Sequence, residues 1–205
     1  PPVLPQVQTV SEGAGLTDLA SLKAAAEAID PLAEAAKSEG AWSVYLEALE
    51  AENGPAEEQA HALNRIGDSR YYQQDIAGAL ASSLEAEKRL IAAGATDGEA
   101  MAGTLANIAT FYTGVGQPEK NVPLQERSLK IRTALYGQDP EGIAPPDAKA
   151  LGLGYLNYAA ALYEANRFGD AAEYVDPAIK GLIRGGMTDT TLFVALSTGA
   201  NIYID

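Results

Sequence analysis

The stretch Leu105-Ala-Asn-Ile-Ala-Thr-Phe-Tyr112, followed by Gly116 and then by Pro123-Leu-Gln-Glu-Arg-Ser-Leu-Lys-Ile-Arg132, decides the fold. Leu105 and Ile108 are three residues apart, the small Ala109 comes next, and Tyr112 lies three beyond it. Residues three and four apart share one side of a 3.6-residue turn, so this is the buried stripe of an α-helix. Gly116 breaks the pattern and a second periodic run follows. The result is a helix-turn-helix unit.

The same order of residues recurs outward from this unit. Leu63, Ile66 and Gly67 lead to Ala79 and Ala86; Tyr155, Tyr158, Ala159 and Leu162 lead to Phe168, Ala171 and Ala178; Leu196, Gly199, Ala200 and Tyr203 begin a further copy. The small residues at 67, 109, 159 and 200 are separated by 42, 50 and 41 positions. A small residue followed by an alanine twelve later marks where the two helices of a hairpin touch, because larger side chains there would force them apart. Strand-like alternation is missing throughout, 39 residues are alanine, and breakers at Gly40, 53–55, Gly94, Gly98, Gly116, 137–146, Gly169 and 185–186 leave helices of about 12 to 18 residues. The chain is predicted to be all-α.

The quoted stretch, continued by Leu135-Tyr-Gly-Gln-Asp-Pro140, resembles a tetratricopeptide repeat (TPR) of the long, kinesin-light-chain type. Asn157-Tyr-Ala-Ala-Ala-Leu-Tyr163 with Asn166-Arg-Phe-Gly-Asp-Ala171 is similar. This type has a period of about 42 residues rather than the ~34 of ordinary repeats. The resemblance implies a right-handed superhelical array of antiparallel helix pairs. It covers 59–205, divided into 59–95, 97–138, 147–186 and a truncated unit at 188–205. Residues 1–16 read as an extended lead-in and 17–58 as a degenerate capping hairpin, with Asp30-Pro31 as a helix start and Ala41, Tyr45, Ala48 and Leu49 matching the second half of a unit. The middle copy departs from the pattern: Asn121 takes the alanine position, Pro118 replaces the usual aromatic, and the linker 137–146 is longer than the period requires.

Composition narrows the function. Twenty-eight acidic against 14 basic side chains give a net charge of −14, which repels nucleic-acid phosphates and anionic lipid. Nucleic acid is therefore not expected as a partner, and no run approaches the ~20 apolar residues of a membrane helix. There is no cysteine and a single histidine, His61, which removes thiol chemistry and paired histidine ligands. No enzyme activity, cofactor or metal is expected. His61 reads as a solvated helix residue, Tyr155 and Tyr158 as core, and Glu57, Glu58, Asp97 and Glu99 as helix N-terminal charges. Lys120, Arg127, Lys130 and Arg132 read as a solvated face.

The resemblance implies that the first helix of each pair lines a concave groove that holds a peptide or partner protein. Carried over by position, the first unit presents His61, Asn64, Arg65, Asp68, Tyr71 and Tyr72, with Tyr71 rather than Tyr72 taken as the groove residue. The second presents Ala106, Asn107, Thr110 and Thr113, and the third Leu153, Leu156, Asn157, Ala160 and Tyr163. Asn107 and Asn157 stand where such repeats use an amide to bond a peptide backbone, since an amide both donates and accepts. The leading expectation is a protein- or peptide-binding module. Two alternatives stand beside it: a regulatory or recruiting arm of a larger signalling enzyme or caspase-like protease, and a spacer that self-associates through 191–205. The lack of an initial methionine and the uncapped run to Asp205 suggest a longer parent chain. The compartment is open.

Overall fold

A computed structural model describes residues 18–188 together with Leu192, Ala195, Ser197 and Gly199. Most of the self-association segment 191–205 and most of the truncated fourth unit lie outside these residues. Among the described residues there are eight α-helices and no strand: α1 (Leu19–Glu27), α2 (Ala35–Ala51), α3 (Ala56–Tyr72), α4 (Ile76–Ala92), α5 (Glu99–Gly114), α6 (Asn121–Tyr136), α7 (Pro145–Glu164) and α8 (Phe168–Arg184). Short 3-10 turns at Pro118–Lys120 and Pro140–Gly142 precede α6 and α7.

Three hairpins, α3–α4, α5–α6 and α7–α8, are closed by one turn used three times. In each, a residue with positive φ lets the chain leave the first helix: Gln74 (67°), Gly116 (79°) and Asn166 (59°). The next amide then donates back to a carbonyl of the last turn, Asp75 to Arg70 at 2.9 Å, Gln117 to Tyr112 at 2.8 Å and Arg167 to Leu162 at 2.9 Å. This satisfies carbonyls that the helix end would otherwise leave unpaired.

The spacing rule for hairpin contacts holds in atomic detail. A Cβ on Gly67 would sit 3.2 Å from the Ala79 carbonyl oxygen, twelve residues on. The third hairpin closes still tighter at Gly152 and Gly181, where an added Cβ would come within 2.7 Å of the facing backbone.

The core comes in three pieces along the chain. Trp42, Tyr45 and Leu49 of α2 pack with Ala62 and Ile66; Leu63, Leu90, Met101 and Leu105 join Ile131; Leu129, Leu151, Leu162, Val175 and Leu182 form the third. Tyr155 and Tyr158 are buried in that third piece, as their spacing predicts.

Several local expectations are corrected. Gly40 lies inside α2 on an open surface, and Gly169 lies inside the first turn of α8. Asp30-Pro31 opens a turn rather than a helix: the Asp30 side chain accepts from the Leu32 amide at 2.9 Å and α2 begins only at Ala35. The long linker is folded, with the Tyr155 hydroxyl donating to the Gln138 carbonyl at 2.8 Å and Asp139 capping the 3-10 turn.

Of the basic group read as a solvated face, Arg127 and Lys130 are exposed as expected, whereas Arg132 is not. Arg132 is 5% exposed and grips Glu99 through Nη2 and Nε at 2.8 and 3.0 Å, while Lys130 and Arg127 pair with Glu126 and Glu87. Lys120 stands over the Tyr112 ring at 4.0 Å. Glu99 stands in the first turn of α5, as read from sequence, and is at the same time the partner of a buried cation. It also accepts from the Tyr136 hydroxyl, whose pKa is pushed up to about 12 by burial and by that carboxylate.

Candidate functional site

α3, α5 and α7 carry every position predicted for ligand contact, and packing divides these positions into three groups. Asn64 is committed to the array. Its Nδ2 donates to Thr104 Oγ1 at 2.7 Å and its Oδ1 accepts from Ser83 Oγ at 3.1 Å, so it staples α3 to α4 and α5. Expected among the ligand-contacting positions, Asn64 has its amide spent within the array instead. Leu156 is corrected likewise: at 8% exposure it belongs to the third core piece. Tyr163 is half-buried with its ring 5.2 Å from Phe168.

The second group is a polar string. The Arg65 guanidinium sits 5.7 Å from the Trp42 ring and donates to Asp68 at 3.1 Å. Asn107 Nδ2 donates to the other Asp68 oxygen, also at 3.1 Å, linking α5 to α3. Burial pushes the Asp68 pKa up to about 6, above its ordinary 3.8, because loss of hydration outweighs the help from Arg65 and Asn107.

The third group converges. Tyr71 from α3, Thr110 and Thr113 from α5, and Asn157 from α7 line one cleft of about 250 Å³, with Asn121 and Gln125 of α6 and Glu164 of α7 completing it. Tyr71 is 38% exposed and its ring lies 5.6 Å from Phe111; Tyr72 is also exposed, so the adjacent pair does not divide into one groove residue and one core residue. Thr110 donates to the Ala106 carbonyl at 3.1 Å, and Thr113 accepts from Asn121 at 3.1 Å.

The floor of this cleft was not predicted as a site. Asn121 and Gln125 are 8% and 3% exposed, and Asn121 Oδ1 and Gln125 Oε1 are buried with no hydrogen-bond partner among the described residues. The signal that could have found them is Asn121 in the alanine position, with Gln125 one helical turn later on the same face.

At the opposite end of α3 a second cleft is lined by Lys23, Glu57, Glu58, His61, Asn64 and Glu99, among others. Lys23 and the Tyr45 hydroxyl hold the Glu58 carboxylate at 2.9 and 3.0 Å, and the Lys23 hydrogen bond keeps its pKa below the ordinary range. His61 is exposed with its ring edge against Trp42 at 5.2 Å, and desolvation by that neighbourhood holds its pKa below the usual value. The residues lining this cleft include no hydroxyl or thiol nucleophile. No group of three or more metal-ligating side chains occurs among the described residues.

Hairpins stacked side by side, a core in pieces and a repeated small-residue contact define an α-solenoid of the TPR-like class. Solved structures agree on the fold. The chain is similar to BtubC (BKLC) from P. vanneervenii, with a TM-score of 0.72 at 13% identity over 91% of this chain and 72% of that one. It is also similar to a putative kinesin light chain from Podosopora anserina with nearly identical TPR-like repeats, and to a single-residue variant of that protein, each with a TM-score of 0.64 at 12% identity over 91% of this chain and 85% of that one. No protein-family model and no curated protein matches the sequence. None of the described helices is long and apolar enough to cross a membrane.

Proposed function

We propose that the chain is a protein-interaction module that holds a peptide segment or an exposed stretch of a partner protein along the face built from α3, α5 and α7. The observation that carries this reading is the convergence of Tyr71, Thr110, Thr113 and Asn157, from three hairpins, on one cleft. Residues drawn from successive units give a site that only the assembled array possesses, which is how solenoids produce extended binding surfaces. Recognition would combine amide bonds from Asn157 to a peptide backbone with apolar contact on the Tyr71 ring. The proteins of similar fold include kinesin-light-chain-type repeats, which favours a partner-binding role over a catalytic one.

The test is panning of a displayed random-peptide library against this chain and against Asn157→Leu, which fills the cleft. Peptides that bind the first and lose at least tenfold on the second support the reading. Enrichment of nothing, or of peptides indifferent to Asn157→Leu, overturns it.

A further inference from the structure

We propose that the cleft shared by the three hairpins anchors a cationic side chain of the bound peptide, a lysine ammonium or arginine guanidinium, on the amide oxygens of Asn121 and Gln125 and the Glu164 carboxylate. The inference rests on the peptide-binding reading of this face and specifies its chemistry.

A buried acceptor without a donor costs about 1 to 3 kcal/mol, and native proteins keep few of them. Here two occur one helical turn apart, in a helix whose counterparts carry Ala79 and Ser83 in α4 and Ala171 and Val175 in α8. Neither amide is relieved by turning it over. Gln125 Nε2 donates to the Ala106 carbonyl at 3.2 Å, and Asn121 Nδ2 donates to Thr113 and to the Glu164 carboxylate at 3.1 and 3.2 Å. Reversal would set oxygen against oxygen in both. The two carbonyl ends are thus held in place awaiting N–H donors.

The remaining groups favour a donor that is also a cation. The Thr110 hydroxyl proton is already given to Ala106, so the walls are rich in acceptors. An adjoining hollow shares Asn121, Ala161 and Glu164 and adds Glu119, so a second carboxylate lines the space next to the cleft. No lysine or arginine lines either hollow, and the neighbouring Lys120 is engaged on Tyr112. The Tyr71 ring supplies a face for a cation. The chain as a whole, at −14, attracts basic segments. Tyr71 and Glu164, which line the same cleft, are exposed and so are not locked in place by core packing.

The test is an NMR titration of the side-chain NH2 signals of Asn121 and Gln125, using n-butylammonium and n-butylguanidinium chlorides as probes. Sodium butyrate and sodium chloride at equal ionic strength are the controls. The expected result is a saturable shift with the two cations alone, at least fivefold weaker in Glu164→Gln; in Asn121→Ala/Gln125→Val, where those NH2 signals are gone, the backbone amides of 121–125 that moved in the parent chain no longer shift. That double variant installs the residues of α8 at the same places, and its unfolding midpoint verifies that it is folded. Shifts that follow butyrate or sodium chloride equally, or that persist in the remaining backbone signals of the double variant, overturn the proposal. So does a cleft satisfied by water alone, seen as signals unmoved by any salt. Panning separates the two readings. Peptides sensitive to Asn157→Leu but without enriched Lys or Arg overturn the cationic anchor and leave peptide binding standing, whereas no enrichment at all overturns peptide binding itself.

Discussion

α6 and α8 occupy the same place in successive hairpins, yet they meet their partner helices with opposite chemistry. α8 turns Ala171, Val175, Ala178 and Leu182 toward α7; α6 turns Asn121, Gln125, Ser128 and Arg132 toward α5. α4 follows the apolar scheme at Ala79, Ala86 and Leu90, with Ser83 its one polar member, bonded to Asn64. In α6 the polar face is bonded nearly throughout: Gln125 to the Ala106 carbonyl, Ser128 to the Ala102 carbonyl at 2.7 Å, and Arg132 to Glu99. Only the two amide oxygens beside the cleft are left over. The backbone of a repeat is evidently indifferent to which chemistry fills the slot, provided that the volume fits and the bonds are made. A position free of that demand is where a ligand can be accommodated.

The contrast can be broken at its tightest point first. At Gly181 an added methyl meets the Ala148 carbonyl oxygen and Gly152 Cα at 2.7 Å each, so Gly181→Ala should cost about 3 kcal/mol in urea unfolding, the upper end for overpacking. The corresponding residue of α6 is Ile131, and trimming it to valine should cost only ~1 kcal/mol. Equal losses would show that the two hairpins are packed alike. Arg132→Leu imports the α8 residue into α6 and strands Glu99, which is 40% exposed; a loss of about 2 kcal/mol is expected, less than for a fully buried pair. A gain would mean that the polar face has no structural need of its cation.

Smaller effects sharpen the same comparison. Asn121→Ala with Gln125→Val removes two unsatisfied acceptors and should raise stability by roughly 1 to 2 kcal/mol, measured as an increased denaturant midpoint. The Asp68 contact between the first and middle hairpins should show in the pH dependence. With its folded pKa at about 6 against an ordinary 3.8, the folded chain binds more protons than the unfolded one between those values. Stability from this group therefore falls as pH rises from about 4 to about 6. Asp68→Asn should gain on the parent chain in melting temperature across that window, and parallel curves would contradict the burial of this carboxyl. Last, Gln74 holds a positive φ where the middle hairpin has Gly116; Gln74→Gly should add about 0.5 kcal/mol by relieving the left-handed conformation, read from the same unfolding curves.

The hairpins, their turns and their contact points were legible because they depend on residue size and helical period, which a sequence displays directly. Gly67 facing Ala79 and the burial of Tyr155 and Tyr158 follow from spacing alone. The site was legible only in part. Tyr71, Thr110, Thr113 and Asn157 reached the cleft, but Asn64 was taken by Thr104 and Ser83, and Leu156 by the core, since hydrogen-bond partners forty residues away leave no local trace. Asn121 stood out in sequence as a packing fault; only the positions of Thr113, Glu164 and Gln125 around it turn the fault into a candidate binding feature. Gly40 misled because an exposed glycine within a well-packed helix costs only ~1 kcal/mol, too little to end it.

The divided core has a consequence for how the array comes apart. α6 contributes Ile131 to the piece shared with α3, α4 and α5, and Leu129 to the piece shared with α7 and α8. It is thus weakly apolar toward its own partner and apolar toward both neighbours. In a one-dimensional array this means low intrinsic stability of the unit and strong coupling between units. The middle hairpin should not open alone: melting α6 removes a side chain from two core pieces at once. Amide exchange across α4 to α8 should then report one cooperative block, with the amides of α1, which buries only Ala26 there, exchanging first.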